Sequence, residues 1–196
     1  MDPTTIDLCL SMFPCAKFLW HKASVKMHTL LDLHGNIPTY IRVTSKDVHD
    51  VNLLDEILPG TGAFYVMDRA YIDFARLYNF TLSSAFFVVR TKFNVLLERR
   101  YSHTVDKSTG VSSDQTVLLS SIESASVYPG ALRRVSYYDA ETGKRLKFLT
   151  NNFTLPALTI ARIYKQRWQV ELFSSSGSKS TCESRWSARS FLYQFE

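Results

Sequence analysis

The sequence predicts an α/β fold interrupted by a β-rich stretch, and three observations predict it. Strand-like and helix-like runs alternate through the first half. From about residue 93 to 153, short β-prone runs follow one another with turn residues between them. From Thr154, the run TLPALTIARIYKQRWQVELF returns to good helix formers. A chain of 196 residues that is 45% hydrophobic and 21% charged can bury a core of this kind. That composition excludes a disordered tail, a collagen-like fibre and a coiled coil as the main architecture.

Each element has a local reason. SVKMHTLLDL and IPTYIRVTS are strand-like and flank His34-Gly35-Asn36, a tight-turn tripeptide, so they predict a hairpin. DVHDVNLLDEIL places Val48, Val51, Leu54 and Leu58 at helical spacing, and Pro59-Gly60 ends the run. AFYVMD predicts a short buried strand after Gly62. Arg69 to about Ser83 reads as a helix, and AFFVVRTK as another strand. VLLERRYS, QTVLLSSI, LRRVSYYDAE and KRLKFLTNN read as strands, with DAETGK as the clearest hairpin loop. Thr154 is a candidate cap for the last helix, and Pro156 suits its first turn. The Ser-rich run SSSGSKSTCESR then stops that helix abruptly. The expected units are 1–92, the β-rich insertion 93–153, the returning helix 154–173 and an aberrant, disordered tail 174–196.

Targeting and charge narrow the function classes. The longest apolar runs, such as AFFVV, are far shorter than a membrane span. The opening MDPTTIDLCL carries Asp2 and Asp7 where a secretory leader would be basic and apolar. The 3 cysteines, Cys9, Cys15 and Cys182, lack metal or redox spacing. These features read as a soluble, cytoplasmic chain with no membrane partner. The net charge of +5 admits nucleic acid as a partner without requiring it.

Asp68 closes the hydrophobic run AFYVMD, and a carboxylate at a strand end can hold a divalent cation at the edge of an α/β sheet. It can equally cap the next helix. Tyr164, Arg167 and Glu171 stand at i, i+3 and i+7 on one helical face. A phenol, a guanidinium and a carboxylate on one stripe suit a metal ion beside a phosphate. A solvated face carrying an Arg–Glu pair accounts for the same spacing. Asp2 by itself is an unremarked N-terminal residue, with Asp7 as a competitor. The 5 histidines show no HExxH pairing, and there is no GxSxG elbow, GxxxxGK[ST] loop or GxGxxG turn. Arg99-Arg100-Tyr101 and Arg133-Arg134 with Tyr137-Tyr138 could line a DNA backbone or form the outward faces of the insertion strands.

Three blocks together resemble one family. DPTTIDLCLSMFP, GAFYVMDRAYIDFARLY and LTNNFTLPALTIARIYKQRWQVELF, in this order, resemble bacterial insertion-sequence transposases of the DDE class. The resemblance is to the large group with a Tyr-Arg-Glu-Lys signature, the insertion-sequence-four type, and runs from Asp2 to Phe173. It implies an RNase H-like mixed sheet with helices, interrupted by a β-rich insertion before the last catalytic helix. It implies Mg²⁺-dependent cleavage and strand transfer of DNA ends, with three catalytic, metal-holding carboxylates: Asp2, Asp68 and Glu171. Tyr164 and Arg167 match the signature residues that bind DNA-end phosphate. The implied partners are DNA, as terminal inverted repeats and target, and a second copy or a full-length transposase.

Two departures stand out. Pro3 replaces the usual Ser or Gly, and the chain opens at the first carboxylate, which reads as an N-terminal truncation. The signature lysine belongs seven residues after Glu171, where Ser178 stands, with Lys179 one place late. The family's usual continuation, Glu-Leu-Phe-Phe-Lys-Trp-Ile-Lys, breaks off after Phe173, where the Ser-rich run begins, and the abrupt change reads as a shift of frame. The sequence therefore reads as a degenerate transposase remnant, frameshifted after about Phe173, with little activity. The alternatives are a catalytically inactive DNA-binding or inhibitory fragment, and a metal-dependent nuclease.

Overall fold

The computed structural model describes residues 4–8, 18–19, 22–32, 37–45, 47–91, 94–176 and 192–195, with side chains over 26–32, 37–45, 47–91 and 94–167. The first strands are β1 (Thr4–Leu8), β2 (Phe18–Leu19), β3 (Lys22–Asp32) and β4 (Ile37–Ser45). A 3-10 helix (Asp50–Asp55) leads to β5 (Phe64–Met67), then α1 (Phe74–Leu82) and β6 (Phe86–Arg90). Next come β7 (Leu97–His103), β8 (Val111–Leu119), the short α2 (Ile122–Val127), β9 (Leu132–Asp139) and β10 (Lys144–Thr150). The last two are α3 (Ala157–Ser176) and β11 (Leu192–Phe195).

The strands join in one mixed sheet, in the order β1-β3-β11-β5-β6-β10-β9-β8-β7, with β2 and β4 also paired to β3. β3 and β4 form the predicted antiparallel hairpin. β5 and β6 run parallel through the middle, connected by α1. Their side chains alternate between the two faces as the pleat requires. Tyr65, Met67, Phe87 and Val89 join the core under α1 and the 3-10 helix, whereas Val66 and Val88 join the core under α3. A mixed sheet with helices on both faces is the RNase H-like architecture that the resemblance implies.

Four details differ from the sequence reading. The run around Leu54 is a 3-10 turn, not an α-helix; it buries Leu53, Leu54 and Ile57 and leaves Leu58 93% exposed. The run ends at the Glu56 C-cap, so the tighter 3-10 turn rather than an α stripe decides which side chains meet the sheet. The region read as one helix from Arg69 splits into a 3-10 turn at Arg69–Tyr71 and α1, which starts only at the Asp73 cap. The β7–β10 unit extends the central sheet, because β10 pairs antiparallel with β6 at Phe148↔Arg90. Finally, α3 continues to Ser176, and Leu192–Phe195 forms a strand where the composition predicts disorder. β11 lies parallel to β3 and antiparallel to β5, bridging the two. Its backbone groups satisfy the facing edges of both neighbours, a role open to a short β-prone segment such as LYQF.

Candidate active site

β5 lies in the middle of the sheet and is almost wholly buried, so Asp68 is the first residue to leave it. Asp68 sits at the N-cap position of the Arg69–Tyr71 turn, yet its side chain makes no capping bond. Capping is done further on by Asp73, whose Oδ1 accepts from the Arg76 backbone N–H at 3.0 Å. Asp68 faces α3 instead, where the Tyr164 hydroxyl donates to its Oδ1 at 3.3 Å. Of the two readings open for Asp68 in sequence, the cap is therefore set aside.

The Tyr164 stripe is not a solvated helix face, because Tyr164 is 0% and Arg167 5% exposed. The Tyr164 ring packs on Phe148 at 4.6 Å between centroids, and the Arg167 guanidinium lies 5.4 Å from the Tyr164 ring. Burial pushes the phenol well above its usual pKa; the Asp68 carboxylate adds to this, while Arg167 and Arg90 oppose it. Tyr164 is thus a neutral hydrogen-bond donor throughout the physiological range.

Sequence reasoning missed Arg90. It is the last residue of β6, and β6 is the parallel neighbour of β5 with Met67 beside Val89. Parallel strands end on one edge of a sheet, so Asp68 and Arg90 follow side by side. The signal was present: AFYVMD and AFFVVR each close an apolar run with a charge. The edge therefore carries one carboxylate, a neutral phenol and two guanidiniums, a set suited to a phosphate held beside a cation.

Glu171 lies in α3, two turns or roughly 10.5 Å beyond Tyr164 along the axis. Its side chain, and all of Asp2, lie outside the described residues. Among the described residues no three acidic, His or Cys side chains converge on a metal site. Asp68 fits one ligand of such a site. It offers a hard anionic oxygen, and the Tyr164 bond engages only Oδ1 among the described residues.

The basic–aromatic clusters separate. Arg99, Arg100 and Tyr101 are exposed on the outer strand β7. Arg133 is 6% exposed and paired with Asp114, so it does not line an outer surface. Arg134 is half-buried and donates to Gln115. No helix among the described residues is long and apolar enough to cross a membrane.

Residues 1–193 match the family model of the transposase DDE domain. The chain belongs to this family. The DDE domain here is 34% identical over 152 residues to a putative transposase of Sinorhizobium fredii, covering 76% of this chain and 42% of that protein. It is 31% identical over 173 residues to a probable transposase for an insertion sequence element of Geobacillus stearothermophilus, covering 88% of this chain and 45% of that protein. The DDE domain thus spans less than half the length of these curated relatives. Proteins of this family generally use a divalent metal and act on DNA.

Proposed function

We propose that this chain supplies the catalytic domain of an insertion-sequence transposase of the Tyr-Arg-Glu-Lys group, cutting and joining DNA ends with Mg²⁺. The observation that supports it best is the Tyr164–Asp68 hydrogen bond, which brings together residues 96 apart in sequence at the edge of a central strand. Asp2, Asp68 and Glu171 would hold Mg²⁺, which supplies Lewis acidity and charge neutralisation at a phosphodiester. Tyr164 orients the Asp68 carboxylate while staying neutral itself. Arg167 and Arg90 receive non-bridging phosphate oxygens as a fixed cationic pair, needing little reorganisation because the helix and strand carrying them are packed. The DNA would be the terminal inverted repeats and a target, engaged by a dimer or with a full-length transposase.

One observation favours a second reading, a DNA-binding fragment that does not cut: Ser178 stands where the signature lysine belongs. A strand-transfer assay on terminal-repeat DNA with Mg²⁺ separates the two. The catalytic reading expects cleavage that Asp68→Ala and Glu171→Ala each abolish without loss of DNA binding. Binding with no Mg²⁺-dependent cleavage, in this chain and in one with a lysine restored at position 178, selects the inactive reading.

A further inference from the structure

The strands between β6 and α3 do more than extend the sheet. The Arg133 guanidinium, on β9, grips Asp114 of β8 with two bonds, Nε to Oδ1 at 2.9 Å and Nη2 to Oδ2 at 2.7 Å. Its remaining nitrogen, Nη1, donates to the backbone carbonyls of Leu155 at 2.6 Å and Asn152 at 3.3 Å. Those carbonyls belong to the loop that starts α3. Asn152 closes the same loop from within, its Oδ1 accepting from the Leu155 and Thr154 backbone N–H groups at 2.8 and 3.1 Å. One residue on, the Pro156 carbonyl accepts the first helical bonds, from Thr159 and Ile160. A second ionic contact holds the helix further along. The Lys165 ammonium donates to Asp139 of β9 and to Glu141 of the β9–β10 turn, both at 2.9 Å.

We propose that Arg133 is a positioning residue: by tying the loop that leads into α3 to β8 and β9, it sets how far the helix reaches along the sheet, and so whether Tyr164 meets Asp68. Three arguments converge. A buried ion pair is a poor source of stability, because desolvation offsets most of its attraction, so its presence under α3 calls for another role. Arg133 and Asp114 are 6% and 5% exposed. Second, the task needs a planar fork: two nitrogens hold the carboxylate while the third reaches the carbonyls, and a lysine ammonium cannot span both. Third, a helix is a stiff lever. Tyr164 lies seven residues beyond Ala157, where α3 starts, about 10.5 Å of helix rise, so a slip at the loop is carried along the helix to the hydroxyl. The apolar contacts of Ile160 and Ala161 do not forbid such a slip, since they are non-directional.

The catalytic consequence rests on the function proposed above, but the positioning itself does not, and the test separates them. 3-Fluorotyrosine placed at position 164 of the full chain reports the Asp68 contact by ¹⁹F NMR, with Asp68→Asn marking the resonance of the altered contact. In the pair Arg133→Met with Asp114→Leu, the buried charges leave together and the fold should keep its unfolding midpoint. The resonance should nevertheless move to, or broaden towards, the Asp68→Asn position. Arg133→Lys, which keeps the charge beside Asp114 but loses the carbonyl contacts, should shift it in the same direction. A resonance unchanged in Arg133→Lys overturns the proposal, as does one unchanged in a folded double variant. Shifted resonances in the Arg133 variants, together with a wild-type chain that never cleaves DNA, leave positioning intact and fail only the catalytic reading.

Discussion

Under α1 and the 3-10 helix, the sheet is covered by side chains that are nearly all apolar: Leu53, Leu54, Leu77, Phe80, Phe87 and Leu132 among them. Under α3 the apolar layer is smaller, and buried polar groups surround it: Arg133, Asp114, Asn152, Asp139 and Arg167. The first face supplies most of the hydrophobic stabilisation, which is large but indifferent to small displacements. The second holds groups whose hydrogen bonds fail within a fraction of an ångström. One sheet thus separates stability from placement, with α3 on the side where placement matters.

The sharpest way to break this division is to damage the apolar face alone. Phe80→Ala removes a wholly buried ring that packs edge-on against Tyr65. It should cost about 3–5 kcal/mol in urea unfolding, with any residual folded population keeping the native Tyr164 resonance. A moved resonance would mean the two faces are coupled.

On the other face, Tyr164→Phe deletes one hydroxyl and leaves the ring on Phe148. The loss should be smaller, about 0.5–1.5 kcal/mol by chemical denaturation. The variant should also lose a late-titrating phenol from the alkaline absorbance curve. The wild-type phenol is raised in the folded state, so its contribution to stability is full below pH about 10 and lost as pH rises further.

The smallest effect concerns a polar group on the stability face. His28 is 0% exposed and shares a hydrogen bond with Thr44 Oγ1 at 2.8 Å. Burial lowers its pKa, with Lys26 acting in the same direction and Asp50 and Glu56 opposing. The folded state therefore binds its proton less readily than the unfolded state. Stability from this group is complete above its usual value near 6.5 and falls as pH drops below it. The slope should not exceed about 1.4 kcal/mol per pH unit, and His28→Gln should flatten it between pH 7 and 5 in urea titrations.

Much of this molecule is determined by local sequence. Two β-prone runs flanking His34-Gly35-Asn36 commit β3 and β4 to a hairpin, and the short, continuous apolar runs of β5 and β6 commit them to strands buried on both faces. The same reading locates Asp68 at a strand end and aligns Tyr164, Arg167 and Glu171 on one helical stripe. Spacing could not tell whether that stripe faces water or the sheet, or whether Asp68 caps a helix or meets a helix residue 96 positions away. Both depend on which element packs over which, and long-range packing leaves no local period. Arg133 shows the limit most clearly. In sequence it is one of two adjacent arginines beside tyrosines, equally suited to a solvent-facing strand. Only the β8–β9 register places Asp114 within reach of its guanidinium and the start of α3 beneath its third nitrogen. The 3-10 helix and β11 were likewise decided by the sheet, whose open backbone groups and apolar face recruited the nearest segments that could satisfy them.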